Sequence, residues 1–187
     1  MRHGETEELK RGILLGHLPG TLSKKGRNDI SAAAQTIKRF GLKPEIILSS
    51  DTGRARESSE ILSKILGLKI KYNKLLRERM GGIAEGKKEK EINWEIYNNL
   101  PLQHRRHSGG ESFIDVKCRA KKFIDNINST KKHKTIIIVS HNTFLLMLLS
   151  YVKNWSVKKS LEFKLNNMMI LNIKKGRGRN TFHPQQG

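Results

Sequence analysis

Lys134-Thr135-Ile136-Ile137-Ile138-Val139-Ser140, running straight into His141-Asn142, is the stretch on which the reading of the fold turns. Its unbroken apolar run predicts a strand buried on both faces, as parallel sheets require. The apolar pattern of Thr143 to Tyr151 predicts a helix directly after it. His141 therefore leaves a buried strand at its carboxyl end, where the strand holds it rigidly.

The same alternation extends outward in both directions. Glu111 to Asn128 reads as a helix through Phe113, Val116, Ala120, Phe123 and Ile127. Leu68 to Tyr72 alternates apolar and basic residues, the pattern of a sheet-edge strand. Glu45 to Ser50 is a short apolar strand behind Pro44. Asp51 is placed to cap the next helix, which carries Ala55, Ile61, Leu62 and Ile65 inward and stops at Gly67. Ser23 is placed to cap a helix running to about Phe40, with Ile30, Ala33, Ala34, Ile37 and Phe40 on one face. Met168 to Ile173 predicts a last strand. Between these lie a loop from Glu7 to Thr21, a glycine-rich loop from Arg77 to Gly86, and a charged helical stretch around Ile92, Trp94, Ile96 and Tyr97. A polar segment expected to be mobile follows, from His104 to Gly110. Strand-helix alternation predicts an α/β fold: a three-layer sandwich with a mostly parallel central sheet and helices on both faces. Residues 1–175 read as one domain, and 176–187 as a basic, disordered tail.

The 37 Lys and Arg against 17 Asp and Glu give a net charge of +20. No aromatic residues interleave with the basic clusters to stack bases, so a lysine-rich solvated surface is favoured over a nucleic-acid site, although charge alone leaves that partner open. No segment approaches the ~18 apolar residues that span a bilayer, and early charges at Glu5, Glu7, Glu8 and Lys10 leave no apolar signal region. A cytoplasmic protein without membrane contact is expected. The single Cys118 cannot form an internal disulfide, and its place in a helical pattern reads as buried filler. The oligomeric state stays open.

Ligands collect at the carboxyl ends of parallel strands, and the chemistry-bearing residues fall there. Arg54 sits in the first turn of the helix after Ser49-Ser50-Asp51, beside backbone N–H groups that favour anions. His141 and Asn142 follow the most apolar strand. Glu78 lies between Arg77 and Arg79 in the glycine-rich loop, where a carboxyl group can hand a proton to a leaving oxygen. Met1-Arg2-His3-Gly4-Glu5-Thr6 adds an imidazole that can attack phosphorus and a guanidinium that can grip phosphate oxygens. Together they are the inventory of phosphoryl transfer: a nucleophile in His3, cationic clamps in Arg2, Arg54 and His141, and a proton donor in Glu78.

The ordered set Arg2-His3-Gly4-Glu5-Thr6, Ser49-Ser50-Asp51 with Arg54-Ala55, Glu78-Arg79 with Gly82 and Glu85-Gly86, Gly109-Gly110-Glu111-Ser112, and Val139-Ser140-His141 resembles the histidine phosphatase superfamily, which includes cofactor-dependent phosphoglycerate mutases. The resemblance spans the chain up to about Lys174. It implies phosphohistidine formation on His3, phosphate binding by Arg2, Arg54, His141 and Asn142, and acid/base work by Glu78, on a small phosphorylated substrate. It implies neither metal nor cofactor, and no cluster with metal-ligand spacing occurs in the sequence. Family members usually place an apolar strand before Arg-His-Gly, whereas this chain starts at Met1. A truncated reading frame is the favoured explanation. Leu9 stands where many members place an asparagine.

Only Lys87 to Ser108 separates Gly86 from Gly109, a shorter insert than mutases of the family resemble. A less covered site lets water take the phosphoryl group, so a phosphomonoester hydrolase is expected, with phosphoglycerate mutase as the alternative. A catalytically weak basic scaffold, binding phosphorylated partners or nucleic acid, is the alternative of another class. Lys87-Lys88, His104, Arg105 and Arg106 could meet a multiply anionic substrate, but a solvated loop is the favoured account.

Overall fold

The computed structural model describes residues 1–130 and 135–165. Thr6 caps a single turn, α1 (Glu7–Lys10), its hydroxyl accepting from Leu9 N–H at 3.1 Å. Ser23 caps α2 (Lys24–Arg39) in the same way at Gly26 N–H, and its own hydroxyl donates to Glu5 Oε1 at 2.8 Å. There follow β1 (Ile46–Ser49), α3 (Gly53–Leu66), β2 (Ile70–Tyr72), a short α4 (Glu95–Asn99), α5 (Phe113–Thr130), β3 (Ile136–Val139), α6 (Asn142–Val152) and α7 (Val157–Leu161).

The sheet has the order β2-β1-β3, with every pair parallel and Ile47 opposite Ile70 on one side and Ile137 on the other. Side chains alternate across it. Ile47, Ile137 and Val139 join Ile30, Ala34 and Ile37 of α2 and Ala55 and Leu62 of α3. Leu48 and Ile138 join Phe113, Val116 and Phe123 of α5 and Phe144, Met147 and Leu148 of α6. With helices on both faces, the three-layer α/β sandwich stands as the sequence predicts.

Met1 to His3 form no regular strand, yet they are tied to the end of β3. The Met1 backbone nitrogen donates to Ile138 O at 2.6 Å, Ser140 N–H donates to Met1 O at 3.0 Å, and His3 N–H donates to Ser140 O at 2.9 Å. Arg2 and Ser140 form a parallel bridge. This pairing sets His3 beside His141. It also explains why Ile136 to Ile138 are only half-buried and Val139 alone is fully buried: among the described residues, the far edge of β3 is paired only from Ile138 onward.

Several expectations are corrected. Asp51 does not cap α3; its carboxylate takes two hydrogen bonds from Arg77, at 2.7 and 2.6 Å, and Thr52 stands at the cap without a side-chain bond. Cys118 faces solvent on α5 and is not buried filler. Phe40 ends α2 exposed. The helical stretch around Trp94 shrinks to α4, with Ile96 exposed. Within the polar segment before Gly110, His107 is buried, stacks on Tyr97 at 4.8 Å and meets the Trp94 edge at 5.1 Å, while His104, Arg106, Ser108 and Gly109 are exposed. The predicted strand from Met168 to Ile173 and the tail 176–187 lie outside the described residues.

Candidate active site

His3 is held from both sides of its ring. Nδ1–H donates to Gly4 O at 2.7 Å, because a carbonyl can only accept. That fixes the tautomer and leaves the lone pair on Nε2, which accepts from Arg54 Nε–H at 3.1 Å. Burial lowers the His3 pKa to about 3, with Arg54 and Arg2 adding to the effect and the Gly4 carbonyl opposing it. The ring is therefore neutral at physiological pH, the form in which imidazole is a nucleophile. The segment reaches this position because Gly4 and Gly26 touch backbone to backbone: a Cβ on Gly4 would meet Gly26 O at 2.6 Å. Ser58 Oγ accepts from Gly4 N–H at 3.1 Å and completes the anchorage.

Arg54 enters from the first turn of α3 and is almost fully buried. Its NH1 donates to Leu18 O at 2.6 Å and its NH2 to Gly16 O at 2.8 Å, so the arginine fastens the loop over the cleft as well as touching His3. Burial lowers its pKa to about 10, and Glu78 is the largest opposing influence. It remains a cation.

His141 is fully buried and packs against His3, its ring centroid 4.9 Å from that of His3. Its Nε2 lies 2.9 Å from Ser50 Oγ and 3.2 Å from Thr52 Oγ1, both at the carboxyl end of β1. Its Nδ1 is buried and has no hydrogen-bond partner among the described residues. Burial, followed by Arg54, His3, Arg119 and Arg2, holds this imidazole well below its ordinary pKa.

Glu78 stands on the wall of the cleft. It pairs with neither flanking arginine. Its Oε1 accepts from Arg79 N–H at 2.8 Å and its Oε2 from Thr143 N–H at 3.2 Å, at the start of α6. Its main-chain oxygen accepts from His17 Nε2 at 2.8 Å and from Arg119 NH2 at 3.0 Å.

One cleft of about 200 Å³ is lined by Arg2, His3, Arg54 and Glu78 together with Arg79 and Thr143. The structure thus brings Arg2, His3, Arg54 and Glu78 to one space, with His141 against His3. Asn142 does not line the cleft; its neighbour Thr143 does. Lys87, Lys88, His104, Arg105 and Arg106 are likewise absent from the lining. Among the described residues no group of three His, Cys, Asp or Glu side chains is placed to hold a metal ion.

Sequence reasoning missed Arg119. Its guanidinium donates to the carbonyls of Leu75, Arg77 and Glu78 and to both oxygens of Glu111, tying the glutamate loop to α5. The available signal was position: Arg119 falls three residues after Val116 and four before Phe123, a charge on an apolar stripe. Glu85 was also missed. One of its oxygens accepts from His17 N–H at 2.9 Å and Gly81 N–H at 2.8 Å, joining the two loops that flank the cleft.

Fold and site together define an α/β protein whose sheet ends in a buried imidazole-guanidinium cleft suited to a phosphoryl group. The family model of the histidine phosphatase superfamily (branch 1) matches residues 1–184, and the chain belongs to that superfamily. A relative from Escherichia coli O1:K1, named "Probable phosphoglycerate mutase GpmB", is 26% identical over 178 residues, 92% of this chain and 82% of the relative. In fold, the chain is similar to the α-ribazole phosphatase of Shigella flexneri, with a TM-score of 0.84 and 21% identity over 98% of this chain and 93% of that one. It is also similar to a mycobacterial glucosyl-3-phosphoglycerate phosphatase, with a TM-score of 0.75 and 23% identity over 85% of this chain and 82% of that one. No helix among the described residues is long and apolar enough to cross a membrane.

Proposed function

We propose that this chain is a phosphomonoester hydrolase working through a phosphohistidine on His3, within one domain of residues 1–175, acting on small phosphorylated substrates in the cytoplasm. The observation that carries the reading is the His3 tautomer: Nδ1–H is spent on Gly4 O, so the Nε2 lone pair faces Arg54 in a ring kept neutral.

The reaction follows from these groups. A bound phosphoryl group takes over the Arg54 Nε–H that now meets Nε2. The Nε2 lone pair attacks phosphorus, the bond from phosphorus to the ester oxygen breaks, and the Glu78 carboxyl gives its proton to that oxygen. The ring gains positive charge as the N–P bond forms, and the Gly4 carbonyl at Nδ1–H stabilises it. Arg2, Arg54 and the unpartnered His141 Nδ1 face the charge spread over the equatorial oxygens. In the second half, Glu78 takes a proton from water as its oxygen attacks phosphorus. The N–P bond then breaks and returns the electron pair to His3.

None of residues 87 to 108 lines the cleft, which supports water as the second acceptor over a retained substrate. Rapid quenching in alkaline detergent with ³²P-labelled substrate tests the reading. Wild type is expected to carry label lost at low pH and kept in alkali. His3→Ala is expected to carry none and to hydrolyse p-nitrophenyl phosphate at least about a thousandfold more slowly. Equal rates in the two proteins would overturn the reading. Isomerisation stimulated by 2,3-bisphosphoglycerate, in large excess over hydrolysis, would favour a mutase instead.

A further inference from the structure

We propose that the leaving-group side of the cleft is an apolar subsite, built by Leu9, Ile13, Leu14 and Leu15, that selects phosphate esters of alcohols with an aliphatic or aromatic body. The inference rests on the hydrolase reading and names its substrate class.

These four aliphatic side chains line the same cleft as His3, Arg54 and Glu78. Leu9 is 48% exposed, and the other three are half-buried. A lone exposed leucine needs no explanation, but four converging on a reactive imidazole form a binding wall. The wall is fixed in place. Leu14 N–H donates to Lys87 O at 2.9 Å, Gly86 N–H donates to Leu14 O at 2.8 Å, and Ile13 forms an antiparallel bridge with Lys88. Beyond it, Arg54 holds the carbonyls of Gly16 and Leu18. Glycines let the leucines lie flat: a Cβ on Gly81 would meet Leu14 Cδ2 at 2.5 Å, and one on Gly20 would meet Leu15 Cδ1 at 2.7 Å.

The charged lining leaves little for a second anionic group. Arg2 and Arg54 are assigned to the phosphoryl group and Glu78 to the proton. Arg79 donates through NH1 to Arg105 O at 3.2 Å and lies 4.5 Å over the Phe113 ring. Arg105 donates to the carbonyls of Leu100 and Asn98, and Arg106 pairs with Asp115 at 3.8 Å. A carboxylate on the leaving group would lose water without gaining a dedicated partner, whereas a methylene taken out of water strengthens binding about fourfold.

The test compares esters whose leaving alcohols have similar acidity, so that the chemical step is held constant. On the full chain, kcat/KM for n-hexyl phosphate is expected to exceed that for ethyl phosphate by about tenfold or more, and that for 3-phosphoglycerate by more still. In Leu9→Asn, at an exposed position that tolerates the change, the hexyl-to-ethyl ratio is expected to fall severalfold; circular dichroism checks the fold. A wild-type ratio near one, or a preference for 3-phosphoglycerate, would overturn the subsite and leave the hydrolase reading intact. Absence of turnover and of phosphohistidine with all three esters would overturn both.

Discussion

The floor and the wall of the cleft are built by opposite means. On the floor, His3, Arg54 and His141 are 9%, 2% and 0% exposed and stand at the ends of paired backbone or in the first turn of α3. Each is placed by backbone pairing or by a helix turn, and each is shielded from water. On the wall, Glu78 lies in an irregular segment between 3₁₀ turns at Lys74–Leu76 and Gly82–Ala84. It is held there by Arg119, His17 and the N–H groups of Arg79 and Thr143. A nucleophile needs one tautomer and no charge, which burial beside cations supplies. In the proposed reaction the proton donor must reach a leaving oxygen that varies with the substrate, and the braced loop that carries Glu78 suits that role.

The sharpest way to break this contrast is to remove the proton donor while leaving the floor intact. Glu78→Gln is expected to lower kcat about 10²- to 10⁴-fold for alkyl phosphates and far less for p-nitrophenyl phosphate, whose leaving group needs no proton. Uniform loss across leaving groups would place Glu78 in phosphate binding instead. Loosening the brace comes next. Arg119→Lys keeps the charge but cannot span three carbonyls and the Glu111 carboxylate. About tenfold lower kcat is expected on alkyl phosphates, with little change on p-nitrophenyl phosphate. Denaturant melts of this variant are expected to show a loss of about 1–3 kcal/mol, since buried acceptors are left unmet.

The floor predicts a pH effect of smaller size. The folded-state pKa of His3 is lowered to about 3, and that of His141 lies well below the ordinary value of 6.5. Between these limits the unfolded chain binds protons that the folded chain refuses, so stability rises with pH and is lost as pH falls from about 6.5 toward 3. Thermal melts at pH 7 and pH 5 are expected to show the decline, and His141→Asn should flatten it. An unchanged slope in that variant would mean that other groups carry the acid sensitivity. The smallest effect belongs to Asp51, whose partner Arg77 is partly exposed and whose carboxylate pKa is lowered first by the Arg77 hydrogen bond. Asp51→Asn is expected to cost about 1 kcal/mol or less in a denaturant melt, with no change in leaving-group dependence.

Legibility in the sequence followed the same division. The floor was readable because its residues sit at fixed offsets from strands and helices: His141 after an apolar run, Arg54 after Ser49-Ser50-Asp51, and His3 inside Arg-His-Gly. Glu78 was readable as a candidate from its place in the glycine-rich loop, and the resemblance singled it out, since a glutamate between arginines is locally indistinguishable from a surface ion pair. Its brace, Arg119, lies 41 residues further along the chain, and no local pattern ties the two. The apolar wall was read as featureless loop because Leu9, Ile13, Leu14 and Leu15 share no helical or strand period; they converge by docking on Lys87 and Arg54.

The sequence by itself determined the α/β alternation, the helix cap at Ser23, and the residue types of the reaction, because periodicity, capping and motif spacing are local properties of the chain. Only the tertiary structure decided which nitrogen of His3 holds the lone pair, that Asp51 pairs with Arg77 and does not cap α3, and that the cleft opposes cations to aliphatic side chains. Those outcomes depend on hydrogen bonds and burial between segments far apart in sequence, and such contacts exist only once the sheet has brought the segments together.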